Sequence, residues 1–145
     1  MFILYKYYRR MLAIYVICQS FAYSQISLNE FMASNNTILC DDYDEFDDWV
    51  ELGNSTLDTI NLLGWYISDD QSDPFKHEIL DSIYILPDSV LIMWADNDPE
   101  QGINHLSFKL SSQGEEIIIS NPDQFQVDHV IFGEQISDIS YGRIP

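Results

Sequence analysis

Beyond the first two dozen residues, hydrophobic positions come in short runs separated by polar turns, and no long stretch repeats them at helical spacing. Residues 26–32 alternate, with Ile26, Leu28, Glu30 and Met32 on one side and Ser27, Asn29 and Phe31 on the other. This predicts a half-buried strand in which Glu30 falls on the apolar face and needs a buried partner. A second strand is expected over residues 49–52, closed by the turn Gly53-Asn54-Ser55-Thr56. Residues 60–68 read as a third, with Gly64 marking a bulge or a close approach of another segment. Short strands follow at 77–80 and 83–86, the latter stopped by Pro87-Asp88. Residues 90–95 are almost wholly apolar, which predicts a central strand buried on both faces. After 106–110, Ser111-Ser112-Gln113-Gly114 has hairpin-turn chemistry. Residues 115–120 form a strand centred on Ile117, Ile118 and Ile119, and Asn121-Pro122-Asp123 turns the chain into 126–132, with Val127, His129 and Ile131 on one face. Runs spaced by about 8–15 residues are close to the rhythm of a sandwich or barrel.

The first 24 residues have a different character. Lys6, Arg9 and Arg10 form a basic start, residues 11–18 an uncharged apolar run, and Ala22-Tyr23-Ser24 offers small residues at the −3 and −1 places of a cleavage site before Gln25. The run is shorter than the roughly 20 residues a membrane-spanning helix needs. The expectation is a signal peptide over 1–24 and a mature domain over 25–145, secreted or at the cell surface, with the periplasm and a retained anchor as alternatives. A lipoprotein site at Cys18 is disfavoured by Ile17, where a small residue belongs. Cleavage removes Cys18 and leaves Cys40 without an internal disulfide partner. Cys40 ends the run Thr37-Ile38-Leu39 and is expected to be buried and inert.

Composition narrows the function classes. The 145 residues are 46% hydrophobic and 14% aromatic, enough for one core. Net charge is −18, and three of the six basic residues lie in the first ten positions. Removing the leader leaves three bases against 24 acids, a charge of −21. With no basic patch to neutralise phosphates, direct binding to nucleic acid or an anionic membrane is disfavoured. Cations, basic proteins and neutral glycans stay compatible, and so does plain solubility.

The densest charge is at residues 41–48, six carboxylates in eight positions. Such a loop suits Ca²⁺, which takes six to eight oxygens. It lacks the helix–loop–helix calcium pattern, because Phe46 occupies a ligand place and no glycine makes the sharp turn. A non-standard calcium site would draw on Asp44, Asp47 and Asp48, with Asp69 and Asp70 if the two loops meet at one end of a sandwich. The alternative is a solvated loop whose acids cap turns. A second acidic loop, Asp96-Asn97-Asp98-Pro99-Glu100, spaces its acids alternately but places Gly102 one position late and has Ser107 where a terminal Glu belongs.

No catalytic or cofactor-binding set stands out. His77, His105 and His129 have no zinc-ligand spacing. Ser111-Ser112-Gln113-Gly114 is not a nucleophile elbow, no glycine-rich phosphate loop occurs, and no carboxylate pair is singled out for glycosidic acid–base work. Trp49, Trp65 and Trp94 lie inside strand-like runs, so core packing is favoured over ligand stacking. Glu30, Trp49 and Glu51 are expected to share a structural polar network.

The chain resembles the lamin-tail domain family, in the form found on exported bacterial proteins. The likeness is carried by Leu28-Asn29-Glu30-Phe31-Met32-Ala33-Ser34-Asn35, Glu45-Phe46-Asp47-Asp48-Trp49-Val50-Glu51-Leu52, Leu63-Gly64-Trp65-Tyr66-Ile67-Ser68-Asp69-Asp70, Phe108-Lys109-Leu110-Ser111-Ser112-Gln113-Gly114-Glu115 and Ser140-Tyr141-Gly142-Arg143. Five pieces in order cover about residues 26–145. The resemblance implies an immunoglobulin-like β-sandwich without catalytic activity, serving as an interaction or adhesion module. It implies a protein or glycan ligand and, in bacteria, attachment to secreted hydrolases or surface anchors. Two departures stand out. Family members usually carry an aromatic, often Tyr, at the place of Gly53, expected to brace the acidic loop. They also usually continue past the Tyr-Gly-Arg-x-Pro segment, so a truncated product or an uncovered sheet edge, open to pairing with another chain, is expected here.

Overall fold

A computed structural model of the protein describes residues 26–143; the expected leader, its cleavage point and the last two residues lie outside the described residues. Ten strands follow in order: β1 (Ile26–Met32), β2 (Asp48–Asn54), β3 (Ile60–Asn61), β4 (Tyr66–Ser68), β5 (His77–Glu78), β6 (Tyr84–Ile85), β7 (Ser89–Ala95), β8 (Glu115–Ser120), β9 (Gln126–Phe132) and β10 (Tyr141–Gly142). One sheet has the order β10-β1-β2-β7, the other β5-β4-β8-β9, and β3 pairs with β6 in a small ribbon. The two sheets pack as a sandwich. Leu28, Phe31 and Leu52 meet Ile67, Ile117 and Ile119 in one buried core, so the fold is an all-β, immunoglobulin-like sandwich.

Several local expectations change, each for a backbone reason. In β1 the pairing with β2 slips between Leu28 and Glu30, so Asn29 is an extra, bulged residue. The slip inverts the alternation: Phe31 joins the core, Met32 faces the other way, and Glu30 lies half-exposed without needing a buried partner. The stretch 60–68 is not one strand. Trp65 N–H closes a turn on Leu62 O (3.0 Å), with Gly64 at φ +77°, so β3 stays in the ribbon and β4 enters the second sheet. Along β9 the register slips opposite Ile119 and Ser120. Val127, Val130 and Phe132 pack on the core, while Ile131 is 75% exposed and His129 pairs with Glu116 (2.8 Å), so the expected common face of Val127, His129 and Ile131 is broken.

The apolar strand β7 is an edge strand, not a central one. Its second half is nevertheless buried, because residues 104–109 run along its open side. Trp94 N–H donates to Asn104 O (2.7 Å), Leu106 N–H to Trp94 O (2.7 Å) and Asn97 N–H to Phe108 O (3.1 Å). The first half, without this cover, leaves Val90 53% exposed. All three tryptophans are buried, as core packing predicts: Trp65 in the main core, Trp49 and Trp94 opposite each other across β2 and β7 in a second cluster with Met32.

Candidate functional site

The first half of the acidic loop between β1 and β2 is ordered by Asn35. Asn35 Nδ2 donates to Leu39 O (2.6 Å) and Asp47 O (2.8 Å), and its Oδ1 accepts the N–H groups of Ile38 (3.1 Å) and Leu39 (3.3 Å). Residues 37–39 lie in this exposed turn, and Cys40 at the end of the run is therefore exposed, not buried as expected. Asp138 supports the same loop from outside, accepting from Asn36 N (2.6 Å), Thr37 N (3.0 Å) and Thr37 Oγ1 (2.9 Å). The bond from Asn36 N–H, followed by those from Thr37, holds the Asp138 carboxyl below its ordinary range.

Asp41 begins the next turn. Its Oδ1 accepts from Tyr43 N (2.8 Å) and Glu45 N (2.9 Å), its own N–H donates to Glu45 O (3.0 Å), and Asp44 adopts a left-handed φ of +62°. That turn is laid against the second acidic loop, which contains a short 3₁₀ turn, Pro99–Gln101. Tyr43 Oη donates to Gln101 O (2.9 Å), Gln101 Nε2 donates to Glu45 Oε2 (2.8 Å), and the Tyr43 ring stands edge-on to His105 at 6.0 Å. Asp96, just past β7, accepts Asp98 N–H on Oδ1 (2.9 Å) and meets His105 Nδ1 through Oδ2.

Two sets of three side chains thus meet at Asp41. Ligand atoms of Asp41, Asp96 and His105 lie within 4.8 Å of one another, and so do those of Asp41, Glu45 and Asp47. Asp41, Asp96 and His105 are 7%, 6% and 3% exposed. Burial pushes the Asp47 carboxyl up, and the charges of Asp96, Glu45 and Asp41 add to the push while Lys109 opposes it. Burial likewise raises Asp48, against the bond it accepts from Asn35 N–H (3.0 Å).

The residues expected to bind calcium are dispersed around this cluster. Asp47 belongs to it. Asp44 sits exposed at the turn, and Asp48 is engaged with Asn35. Asp69 pairs with Lys76 (2.6 Å), and Asp70 turns back on Ser72 N–H (2.8 Å) and Oγ (2.7 Å), bonds that lower its pKa. Burial raises the Glu115 carboxyl, against the bond it accepts from Ser111 N–H, and the charges of Asp69 and Asp48 add to the push. Sequence spacing missed Asp41, Glu45, Asp96 and His105 as a group because they meet only through β7 and the segment covering its edge. The polar network expected of Glu30, Trp49 and Glu51 does not form. Glu51 accepts from Asn29 Nδ2 (2.5 Å), and buried Trp49 Nε1 has no hydrogen-bond partner among the described residues.

Gly53 is not beside the acidic loop. It lies at the far end of β2, five residues past Asp48 and roughly 16 Å away at strand rise. It pairs with Ser27 and Val90, and a Cβ there would touch Asn29 Cβ at 3.4 Å. An aromatic at that place would cover Ser27 and Asn29 and could not brace residues 41–48.

No helix among the described residues is long and apolar enough to cross a membrane. No curated protein matches the chain. The sequence profile of the Lamin Tail Domain matches residues 19–134. Taken with the two-sheet sandwich, this match shows that the chain belongs to the lamin-tail domain family of non-enzymatic, immunoglobulin-like interaction domains.

Proposed function

We propose that the protein is an exported, non-enzymatic recognition domain that binds a basic protein surface with its acidic loop end. The observation that carries the reading is the combined face of the two loops. Asp42, Asp44, Glu45 and Glu100 are exposed there beside the exposed rings of Tyr43 and Phe46, which mixes negative charge with apolar contact area. The loops are pinned to each other and to β7, so this face is presented by a rigid scaffold. Three bases against 24 acids after the leader favour a cationic partner over nucleic acid or an anionic membrane.

The test is binding of the untagged protein to a panel of Lys/Arg-rich peptides and neutral glycans at low and high salt. Binding to basic peptides that weakens with salt and with Asp42→Asn/Asp44→Asn supports the reading. Glycan-only binding, or peptide binding indifferent to those substitutions, overturns it. Hydrolysis of ester, peptide, phosphate or glycoside substrates, abolished by changing one carboxylate, overturns the non-enzymatic part. N-terminal sequencing of the exported product checks for a mature chain starting at Gln25.

A further inference from the structure

We infer that Asp41, Asp96 and His105, completed by Glu45 and Asp47, form a binding site for one divalent cation of the Zn²⁺ or Mn²⁺ class. The inner three are more than nine-tenths buried, and each offers a ligand atom within 4.8 Å of the others. Buried like charges are costly unless compensated; Asp41 and Asp96 are both buried here, and a second triplet joins Asp41 to exposed Glu45 and half-buried Asp47, on which Lys109 acts as a cation.

The second observation is an orphaned oxygen. Asp41 Oδ1 takes two backbone N–H groups, yet Asp41 Oδ2 is buried and has no hydrogen-bond partner among the described residues. Buried carboxylate oxygens ordinarily find donors. Pairing His105 with Asp96 explains those two groups as a structural ion pair but leaves Asp41 Oδ2 unexplained. A cation held by the buried triplet gives that oxygen its partner.

The donor set points to the metal class. One imidazole with several carboxylates suits Zn²⁺ or Mn²⁺, whereas Ca²⁺ takes oxygen ligands. The site is also held in place before binding. The turn of residues 41–45, the Tyr43–Gln101 and Gln101–Glu45 bonds, and the Trp94 bonds on either side of His105 fix the segments carrying Asp41, Glu45 and His105 independently of a cation.

The experiment is calorimetric titration of the untagged, chelator-stripped protein with Zn²⁺, Mn²⁺ and Ca²⁺, with thermal melts alongside. One equivalent of Zn²⁺ or Mn²⁺ is expected to bind and raise the melting temperature, with Ca²⁺ weaker. Asp41→Asn keeps an oxygen for the two N–H groups, so the turn survives, and it should weaken binding at least about tenfold. His105→Gln should erase the preference over Ca²⁺, and Asp70→Asn, outside the cluster, should change nothing. If Asp41→Asn fails to fold, Glu45→Gln/Asp47→Asn supplies the same readout. No saturable binding at millimolar Zn²⁺ and Mn²⁺, equal binding by wild type and cluster variants, or preferred Ca²⁺ binding unaffected by His105→Gln overturns the inference.

Discussion

Replacing Asn35 with alanine isolates what orders the acidic loop. Asn35 is 4% exposed, and its side chain makes four hydrogen bonds, two donated and two accepted. Truncation leaves the carbonyls of Leu39 and Asp47 and the N–H groups of Ile38 and Leu39 without these partners. Ile38 and Leu39 are exposed, so water can satisfy their backbone groups in part, while Asp47 is only half-exposed. At about 1 kcal/mol per lost bond, with some recovery by water, the cost is about 2–4 kcal/mol. For a domain of this size that corresponds to a fall of roughly 8–16 °C in melting temperature. Asn35→Asp is the informative companion. It is isosteric but loses both donors and sets a carboxylate against two carbonyls and the neighbouring acids, so it should be no better than alanine at neutral pH. Urea unfolding and thermal melts of chelator-treated protein give the numbers, and amide exchange at residues 36–47 tests whether the damage is local. An Asn35→Ala protein within about 0.5 kcal/mol of wild type, the range of an ordinary surface change, would refute this account of the loop.

Three further outcomes follow from other parts of the fold. Gly114 has φ +106°, and an added Cβ would lie 2.7 Å from Phe132 O, so Gly114→Ala should cost at least about 2 kcal/mol in urea unfolding and loosen the β8–β9 hairpin. Asp128 accepts Leu28 N–H (2.7 Å) and Arg143 Nη2 (2.6 Å), tying β9 to the bulged edge of β1; Asp128→Ala should cost about 2–3 kcal/mol by loss of a charged acceptor. Removing its half-exposed partner by Arg143→Ala should cost under about 1 kcal/mol, and equal costs would show that the ion pair, not the backbone bond, matters. Burial holds the His77 pKa below its ordinary 6.5, partly offset by Asp96. The unfolded chain then binds a proton that the folded chain resists, so this contribution is intact above pH 6.5 and is lost as pH falls toward the folded pKa, at no more than about 1.4 kcal/mol per pH unit. His77→Gln should flatten the melting temperature between pH 7 and 5 relative to wild type, and an unchanged slope would exclude His77 as its source.

The sandwich was legible because its signal is redundant. Residues 26–32, 49–52, 115–120 and 126–132 each alternate or run apolar over a strand's length and end in turn chemistry, and all four are strands. What was not legible depends on single backbone events. The Asn29 bulge reverses which of Phe31 and Met32 faces the core, and a period-2 reading has no means to place such a slip. Residues 90–95 look like a central strand because half of the run is buried by a loop that supplies no strand pattern of its own. The convergent acids were half legible. Density of charge marked the 41–48 loop, but Asp96 and His105 are brought to Asp41 by tertiary contact across β7, which sequence spacing cannot encode.

The placement of that cluster links two requirements of the fold. An open strand edge invites pairing with another chain, and charge near the edge is one defence. Here the edge of β7 is covered by residues 104–109, and the turn of residues 41–45 packs on the segment that precedes and enters this cover through Tyr43, Glu45 and Gln101. The acids therefore sit beside the start of the cover. A cation shared by Asp41 and Asp96 would add a further tie between the first loop and the end of β7. Metal occupancy and edge protection become one equilibrium on this arrangement. Amide exchange at Asn104, His105 and Leu106 should slow when Zn²⁺ or Mn²⁺ is added, more than exchange in the distant β8–β9 pair, and Asp41→Asn should remove that difference. Uniform slowing across both sheets would instead mean that the cation stabilises the domain as a whole, and the coupling to the edge would be lost.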